Sequence, residues 1–550
     1  MNRSRALLAL FLVLPVYVYA ADTASLDAIA SRFYKPGQPG ASIIVVKDGK
    51  TLLRKGYGMA DMELGVPIAP DMVFRIGSVT KQFTAVAILQ LVQQGKIALD
   101  DDIAKFLPDY PKGSRKITIE HLLTHTSGIR SYTSMPNFLA DIRRDFTVRE
   151  MIDRFKSEPS DFGPGDKWLY NNSGYFLLGA ILEKASGMTY EQYVEKHLFQ
   201  PAGMTQTYYG SEARIIPRRV RGYDRDDSGG KGIRNAEYVG MSQPFSAGAL
   251  VSTVDDLAKW DAALQRGTLV DPKLLARAWT EFRLDDGSAT RYGYGWAVGD
   301  YEGLHFVEHG GGINGFASYA LRLPNEKVFV AVLSNNTANE ASPGYVATLL
   351  AGAAAGKALE PKKATLAPAE LQKYVGVYKF DSGTTRTVTV EGDRIYSQRS
   401  GGPKGEIIPT GNGQFMFKDT FSTLTFTTAP DGKIEKVLFA GKSAAEERGT
   451  RTNEKPVERK KIAIDPATLA RYVGRYELMP NFVITVTSEG GGLMTQATGQ
   501  PKFPIFAESE EKFFLEVVDA QLTFFFGDDG KAINLVLHQG GRNMPGKKIE

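Results

Sequence analysis

The tetrapeptide Ser78-Val79-Thr80-Lys81 precedes an apolar-periodic stretch, Phe83 to Val92, that predicts a helix. A serine and a lysine three residues apart lie on one face of a helix. A serine hydroxyl is a poor nucleophile until a neighbouring group takes its proton, and a lysine removed from water can do so. The pair therefore indicates a hydrolase that forms an acyl-enzyme on Ser78.

The spacing alone does not identify this serine, because Ser-x-x-Lys occurs three times in the chain. Ser228–Lys231 lies in a polar, glycine-containing run that is typical of a loop. Ser509–Lys512 lies among glutamates before a strand-like run. Only Ser78–Lys81 opens an apolar helical pattern, so the other motifs of the chain decide whether it is catalytic.

The amino terminus has the pattern of a secretory signal. Arg3 and Arg5 precede an apolar run that ends near Val18, and Val18-Tyr19-Ala20 offers a cleavage site. The run is too short for a comfortable membrane span, so we expect removal of residues 1–20 and no stable span afterwards; an uncleaved anchor is the alternative. An exported chain without cysteine fits a bacterial periplasm or exterior better than a eukaryotic secretory route.

The composition argues against several classes of function. A formal net charge of +4 over 550 residues is too small to indicate a nucleic-acid partner. The absence of cysteine rules out a thiol nucleophile and thiolate metal ligands. His121 and His125 have the spacing of a helical metal pair, but no matching third ligand is evident, which favours structural roles. We therefore expect no metal and no cofactor.

Residues 22–357 form the first of three segments. It has strand-like runs at both ends and long helical patterns between them. Such an order predicts one sheet built from chain-distant strands beside a helical cluster, which is an α+β fold. The strand-like runs are 41–46, 316–323 and 328–333, and the helical patterns are 79–94 and 173–184.

The second and third segments, 366–452 and 462–550, are repeats of each other. The run Leu371-Gln372-Lys373-Tyr374-Val375-Gly376-Val377-Tyr378 recurs as Leu469-Ala470-Arg471-Tyr472-Val473-Gly474-Arg475-Tyr476. Short alternating strands separated by turns follow each copy, which predicts two small antiparallel β-barrels or sandwiches.

Tyr170-Asn171-Asn172 lies just before the second helical pattern. A tyrosine there can pass protons if a nearby lysine cation lowers its pKa, and Asn172 offers an amide donor and an acceptor. Taken alone, the motif is more typical of a core tyrosine followed by an asparagine helix cap.

His309-Gly310-Gly311-Gly312 follows a strand-like run, residues 304–308. Its glycines let a substrate backbone lie close and leave amide hydrogens unobstructed. A flexible hairpin end is the structural alternative.

The three motifs occur together in one known family. Ser78–Lys81, Tyr170–Asn172 and His309–Gly311 have the order of its Ser-x-x-Lys, Tyr-x-Asn and His-x-Gly motifs. Residues 25–355 thus resemble the serine β-lactamase and penicillin-binding protein superfamily, in its branch of class C β-lactamases, D-aminopeptidases and esterases. The resemblance implies a β-lactamase-like domain, with an antiparallel sheet flanked by helices and a helical subdomain.

The resemblance also implies a role for each motif residue. Ser78 is expected to be the acylated nucleophile, and Lys81 the general base together with Tyr170. Tyr170 is also expected to help activate the water that removes the acyl group. The expected substrate-binding residues are Asn172, His309 and Gly311, and the expected oxyanion hole consists of the backbone amides of Ser78 and Gly312.

One position departs from the β-lactamase pattern. β-Lactamases of the superfamily usually carry lysine where His309 stands, and that lysine helps bind the carboxylate of the β-lactam. A histidine with the ordinary pKa of about 6.5 is mostly neutral at pH 7 and binds a carboxylate less strongly. The chain resembles D-aminopeptidases and esterases better at this position, and we do not expect efficient penicillin hydrolysis.

The first hypothesis is thus a secreted serine peptidase or amidase acting on D-amino-acid-containing small molecules or peptides, such as cell-wall fragments. An esterase or a class C-type β-lactamase uses the same apparatus, and a non-enzymatic penicillin-binding sensor would stop at the acyl-enzyme. Peptidases of this branch can carry β-barrel domains that influence substrate access or oligomerisation. A homo-oligomer formed through the β modules is therefore left open.

Overall fold

The computed structural model describes residues 22–550, except 136–137, 227–231, 340, 401, 457–458, 460, 481, 499, 501 and 540–541. The signal sequence expected at residues 1–20 and the Ser228–Lys231 pair lie outside the described residues.

Antiparallel strands from both ends of the first segment form its main sheet, in the order β10-β11-β12-β13-β1-β2. Strand β1 lies between β13 and β2, which confirms the sheet of chain-distant strands. The strands of this segment are β1 Ala41–Lys47, β2 Lys50–Tyr57, β3 Met59–Asp61, β4 Val66–Pro67, β5 Phe74–Arg75, β6 Tyr208–Tyr209, β7 Tyr223–Asp226, β8 Gly232–Asn235, β9 Leu250–Ser252, β10 Ala297–Tyr301, β11 Leu304–Ile313, β12 Phe316–Leu323 and β13 Val328–Ser334.

Helices cover both faces of this sheet, which explains why its central strands are apolar on both sides. All seven residues of β13, for example, are buried. The α-helices of the described residues are α1 Thr23–Ser31, α2 Thr80–Gln93, α3 Ile119–Leu123, α4 Val148–Phe155, α5 Asn172–Ser186, α6 Tyr190–Val194, α7 Gln200–Ala202, α8 Phe245–Gly248, α9 Val254–Gln265, α10 Pro272–Ala278, α11 Pro343–Ala354 and α12 Pro368–Leu371. Helices α1 and α11 pack on one face, whereas α2 and α9 belong to the core on the other.

Helices α2 and α5 form the centre of the helical cluster. Helix α5 begins after Asn171, whose side chain accepts a hydrogen bond from the Gly174 amide, and it ends at Gly187 in a left-handed conformation. Within the described part of the chain, no helix combines the length and the apolarity that a membrane crossing requires.

The two repeats fold into closed antiparallel barrels of eight strands each, which confirms two β modules and decides for barrels over sandwiches. The strands of barrel 1 are β14 Gly376–Phe380, β15 Thr385–Glu391, β16 Arg394–Arg399, β17 Lys404–Gly411, β18 Gln414–Phe417, β19 Thr423–Thr428, β20 Ile434–Gly441 and β21 Ala444–Arg451. Those of barrel 2 are β22 Gly474–Met479, β23 Phe482–Glu489, β24 Gly492–Ala497, β25 Lys502–Ala507, β26 Lys512–Phe514, β27 Ala520–Phe526, β28 Ala532–Gln539 and β29 Arg542–Lys548.

The repeated Tyr-Val-Gly-x-Tyr run makes the same hydrogen bond in each barrel. The Tyr378 hydroxyl donates to the Tyr374 carbonyl at 2.7 Å, and the Tyr476 hydroxyl donates to the Tyr472 carbonyl at 2.8 Å. Each second tyrosine is fully buried, so its hydroxyl needs this internal acceptor. The repeat in the sequence is therefore a repeat of one buried hydrogen bond.

Barrel 1 packs against the α1–α11 side of the main sheet. The Phe421 ring stacks on Tyr345 of α11, with ring centroids 5.0 Å apart, and meets the edge of Tyr301 on β10 at 5.3 Å. Met416 joins the same apolar core. Barrel 1 therefore packs on the face of the main sheet that carries α11.

Candidate active site

The structure brings Ser78 and Lys81 together at the start of α2. Ser78 lies in a 3₁₀ turn, Gly77–Val79, directly before the helix, and Lys81 lies in the first helical turn. Lys81 Nζ is 3.0 Å from Ser78 Oγ. The helix begins one residue later than the pattern predicts, because the serine occupies the tighter turn that precedes it.

The Lys81 amine is enclosed by protein. Its side chain is fully buried, and Nζ donates to Asn172 Oδ1 and to the Ala247 carbonyl, each at 2.8 Å. Burial lowers the pKa of Lys81 well below its ordinary value, because the charged form loses its water. A neutral amine has two hydrogens and one lone pair; the two carbonyl oxygens take the hydrogens, and the lone pair is left for the Ser78 hydroxyl. This arrangement suits a general base.

Tyr170 lies beside the same amine, with Lys81 Nζ 4.8 Å from its ring centroid. Burial raises the pKa of Tyr170, while a hydrogen bond with Ser78 acts in the opposite direction. The expectation that a lysine cation would lower this pKa is wrong, because burial raises the pKa of Tyr170 and also disfavours the Lys81 cation. Tyr170 is therefore a protonated phenol in the resting site, able to donate to a serine or leaving-group atom.

Asn172 connects the lysine to a second polar layer. Its Oδ1 accepts from Lys81, its Nδ2 donates to Thr133 Oγ1 at 3.1 Å, and its backbone amide donates to Ser131 Oγ at 3.2 Å. An amide nitrogen carries two hydrogens, so one remains for a substrate carbonyl. The helix cap that the sequence suggested for this motif is the neighbouring Asn171.

Both ring nitrogens of His309 have partners within the protein. Its Nδ1 donates to the Gly310 carbonyl at 2.6 Å, and its Nε2 accepts from the Tyr292 hydroxyl at 2.9 Å. Burial, with a smaller contribution from Lys81, lowers the pKa of His309 to about 3. The ring is thus neutral with both nitrogens occupied by protein, and it offers no positive charge to a substrate carboxylate.

The glycines after His309 belong to strand β11 rather than to a flexible hairpin end. A Cβ at Gly311 would lie 2.0 Å from the Ile76 carbonyl oxygen, so this glycine lets β11 pass close to the turn Gly77–Val79 that carries Ser78, the nucleophile turn. A Cβ at Gly77 would lie 2.9 Å from Gly312 N. The Gly312 amide is therefore next to the turn that carries Ser78, where an oxyanion donor is needed.

A cavity of about 230 Å³ opens above Ser78. Ser78, Asn172 and Gly312 lie at its polar end. Most of the remaining wall is apolar and comes from Phe138, Leu139, Ile142, Val239 and Ile313. The cavity can hold an acyl group with an uncharged, apolar side chain next to the nucleophile.

Several residues of the site were not singled out as functional from the sequence. The Ala247 carbonyl that accepts from Lys81 is a backbone group, which a pattern of side chains does not mark. His125 accepts from the Asn171 amide at 3.1 Å and packs on the rings of Tyr170 and Tyr292, at 4.4 and 4.6 Å. Tyr292 had no signal in the sequence, because its partner His309 is 17 residues away, on strand β11.

The remaining candidates lie elsewhere. Ser509 lies in the turn before β26, and Lys512 is the first residue of that strand; the Lys512 amide donates to Ser509 Oγ. His121 caps the start of α3 through Thr118. The described residues contain no cluster of three or more histidine, aspartate or glutamate side chains that could hold a metal ion.

Comparison with known families divides the chain at the same places as the structure. A family model described as Beta-lactamase matches residues 26–355. A model described as a domain of unknown function, DUF3471, matches twice, at residues 360–453 and 458–548. The two DUF3471 matches cover the two barrels.

Two curated relatives cover different shares of the chain. Penicillin-binding protein 4* of Bacillus subtilis is 28% identical over 440 residues, which cover 76% of this chain and 95% of the relative. A D-aminopeptidase of Gluconobacter oxydans is 29% identical over 354 residues, covering 63% of this chain and 64% of the relative.

Solved structures show the same similarity. The octameric penicillin-binding protein homologue of Pyrococcus abyssi has a TM-score of 0.56 and 27% identity, with 78% of this chain and 100% of that chain covered. A D-amino acid amidase of Ochrobactrum anthropi, complexed with L-phenylalanine amide, has a TM-score of 0.50 and 30% identity, with 57% and 90% covered.

Replacing Gly311 by alanine should destabilise the protein. The new methyl group would meet the Ile76 carbonyl and force β11 away from the nucleophile turn, at a cost of about 1–3 kcal/mol. Gly312→Ala is the matched control, because a Cβ there has nothing within 4 Å. Thermal unfolding measures both; equal melting temperatures for the two variants would contradict this role for Gly311.

His309→Gln should make stability less sensitive to acid. The native pKa of His309 is about 3, whereas the unfolded value is about 6.5, so between these pH values the unfolded state binds one proton more than the native state. Stability that this group contributes near neutral pH is therefore lost as pH falls below about 6.5, by about 1.4 kcal/mol per unit at most.

Glutamine does not titrate, so the variant should lose this one-proton dependence. Melting temperatures from pH 7 to pH 4 measure the difference. Parallel curves for the wild type and His309→Gln would show that the histidine is not held neutral.

Proposed function

The chain belongs to the Beta-lactamase family of serine hydrolases, and we propose that it cleaves amide bonds of D-amino-acid substrates through an acyl-enzyme on Ser78. The observation that carries this proposal is the buried Lys81 amine, held by two carbonyl oxygens and directed at the Ser78 hydroxyl.

Acylation begins at the serine. Lys81 Nζ takes the proton from Ser78 Oγ, and Oγ forms a bond to the substrate carbonyl carbon, whose π electrons move to its oxygen. The backbone amides of Ser78 and Gly312 stabilise this oxyanion, helped by the positive end of α2. Asn172 donates its remaining hydrogen to the substrate amide and keeps the carbonyl in line with the nucleophile.

The leaving group needs a proton, and Tyr170 is placed to supply it. Its phenol is protonated in the resting site and interacts with Ser78. The phenol can donate to the departing amine and regain a proton from the Lys81 cation, so that no net charge is left on the tyrosine. Water then attacks the acyl-enzyme with Tyr170 and Lys81 reversing these roles, which releases the acid and restores Ser78.

The substrate class rests on the cavity and on the relatives. The D-aminopeptidase and the D-amino acid amidase are similar to this chain in sequence and in structure, respectively. The apolar wall of the cavity at Ser78 suits a substrate with an uncharged side chain. The neutral, internally bonded His309 removes the cation that a β-lactam carboxylate would use. D-Amino amides and peptides therefore fit this site better than penicillins.

Export and self-association complete the proposal. The basic and apolar pattern of residues 1–20 supports secretion to a bacterial periplasm or exterior. A mature protein that retains residues 1–20 would contradict it. The octameric relative supports a homo-oligomer, and a monomer in light scattering would argue against one.

Ser78 should be the single site of acylation. Intact-mass spectrometry after exposure to a fluorophosphonate should show one adduct, which peptide mapping places on Ser78, and Ser78→Ala should show none. The same variant should lose turnover by several orders of magnitude while folding normally. Full activity in Ser78→Ala would disprove the nucleophile.

Turnover should prefer D over L configuration and apolar over charged side chains. Rates on D-phenylalanine amide, L-phenylalanine amide and D-glutamic acid amide measure both preferences, and a phenylalanine ester tests the esterase alternative. The proposal predicts the highest kcat/KM on D-phenylalanine amide among the amides. Turnover of the ester with none of the amides would make the protein an esterase, and a persistent benzylpenicillin adduct without turnover would make it a sensor.

A further inference from the structure

The turn between β20 and β21 of barrel 1 inserts two polar side chains into the main sheet. Lys442 Nζ donates to Glu308 Oε2 at 2.5 Å, and Ser443 Oγ donates to Glu308 Oε1 at 2.5 Å. Lys442 Nζ also donates to Thr348 Oγ1 of α11 at 2.7 Å. Both oxygens of the glutamate on β11 are therefore bonded to the barrel.

This contact is buried and closely fitted. Lys442 is 9% exposed and Glu308 is 1% exposed. The ammonium also lies 4.3 Å from the centroid of the Phe306 ring, which favours a cation at that place. A Cβ at Gly299 of β10 would lie 1.9 Å from the Lys442 carbonyl oxygen, so the sheet has a glycine where the barrel turn reaches it.

The lysine and the serine of this contact occur in barrel 1 and not at the equivalent positions of barrel 2. Where barrel 1 has Gly441-Lys442-Ser443-Ala444 between its last two strands, barrel 2 has Gln539-Gly540-Gly541-Arg542. The second repeat thus lacks both the lysine and the serine at this turn. The two side chains are specific to the barrel that docks on the sheet.

Glu308 is the residue before His309 on β11. Successive residues of a strand face opposite sides, so Glu308 faces the barrel and α11, whereas His309 faces Tyr292 and the lysine site. The strand then continues to Gly311 and Gly312, which lie against the nucleophile turn. A contact that holds Glu308 in place therefore also holds the β11 backbone that carries the Gly312 amide.

We infer that Lys442 is a positioning residue for the hydrolytic site: through Glu308, barrel 1 holds β11 where the Gly312 amide lies next to the turn that carries Ser78. The inference rests on the proposed acylation of Ser78. It gives barrel 1 a part in catalysis, although the barrel packs on the face of the sheet that carries α11 and the cavity is on the other.

The physical reason is the cost of an unpaired buried carboxylate. Without the lysine, the buried Glu308 carboxylate loses its partner cation, which is costly in a place that water does not reach. The strand then relaxes by moving the carboxylate toward water, and the same movement carries residues 309–312 away from the nucleophile turn. An oxyanion donor displaced by a fraction of an ångström loses much of its effect on the transition state.

The test uses the full chain with Lys442→Met, which removes the charge and keeps most of the side-chain volume. Lys404→Met is the matched control, since Lys404 is a lysine of the same barrel that pairs with Glu391 at a more exposed place. Four quantities are measured at a temperature where all proteins are folded: the rate of Ser78 labelling by a fluorophosphonate, kcat and KM for the best substrate, and hydrogen exchange of the amides in β11.

Lys442→Met should lower the labelling rate and kcat about tenfold or more, leave KM within about twofold, and speed exchange in residues 304–313. Lys404→Met should match the wild type. If Lys442→Met does not fold, Ser443→Ala removes one hydrogen bond to Glu308 and should give the same pattern at a smaller size, about two- to threefold.

Unchanged labelling and unchanged exchange in β11 would overturn the inference, as would equal losses in Lys442→Met and Lys404→Met. Failure of the proposed function is a separate result, because it leaves Ser78 unlabelled in the wild type. The exchange of β11 is measured without substrate or label, so it tests the contact in either case.

Discussion

The site depends on the burial of one amine. Lys81 Nζ is surrounded by Ser78 Oγ, Asn172 Oδ1 and the Ala247 carbonyl, and these groups come from three helical elements that are distant in the sequence. A lysine in water is a cation and no base at neutral pH. The packing of α2, α5 and α8 around it lowers the pKa of the amine, so that the amine is unprotonated and can accept the serine proton.

The surroundings of this amine are neutral as well as buried. His309 is held uncharged by burial and by hydrogen bonds to Tyr292 and Gly310, and Tyr170 stays protonated. A second cation at position 309 would repel the lysine cation that the proposed acylation forms. A carboxylate would stabilise that cation and keep the base protonated before the reaction starts. Neutral side chains at His309 and Tyr170 avoid both effects, which explains why a histidine is compatible with this chemistry.

Much of the fold could be predicted from the sequence because its signals are local. The helix after Ser78, the strands at both ends of the first segment and the two repeats follow from periodicity and turn residues. Spacing along one helix also predicted the contact of Ser78 with Lys81. What could not be predicted is the direction of side chains that meet across the fold: His309 lies in the right motif, but its ring is turned toward Tyr292. The pairing of Glu308 with Lys442 joins residues 134 positions apart, and no local pattern indicates it.

The most direct test of this account is the pH dependence of Ser78 labelling by a neutral fluorophosphonate, measured in the wild type and in Lys81→Met. Labelling should fall as pH drops through the pKa of Lys81, because a protonated amine cannot take the serine proton. The account predicts a midpoint well below the ordinary lysine value of about 10.4, and a slow rate without this step in Lys81→Met. A midpoint near 10.4, or the same profile in both proteins, would contradict a buried, neutral lysine as the base.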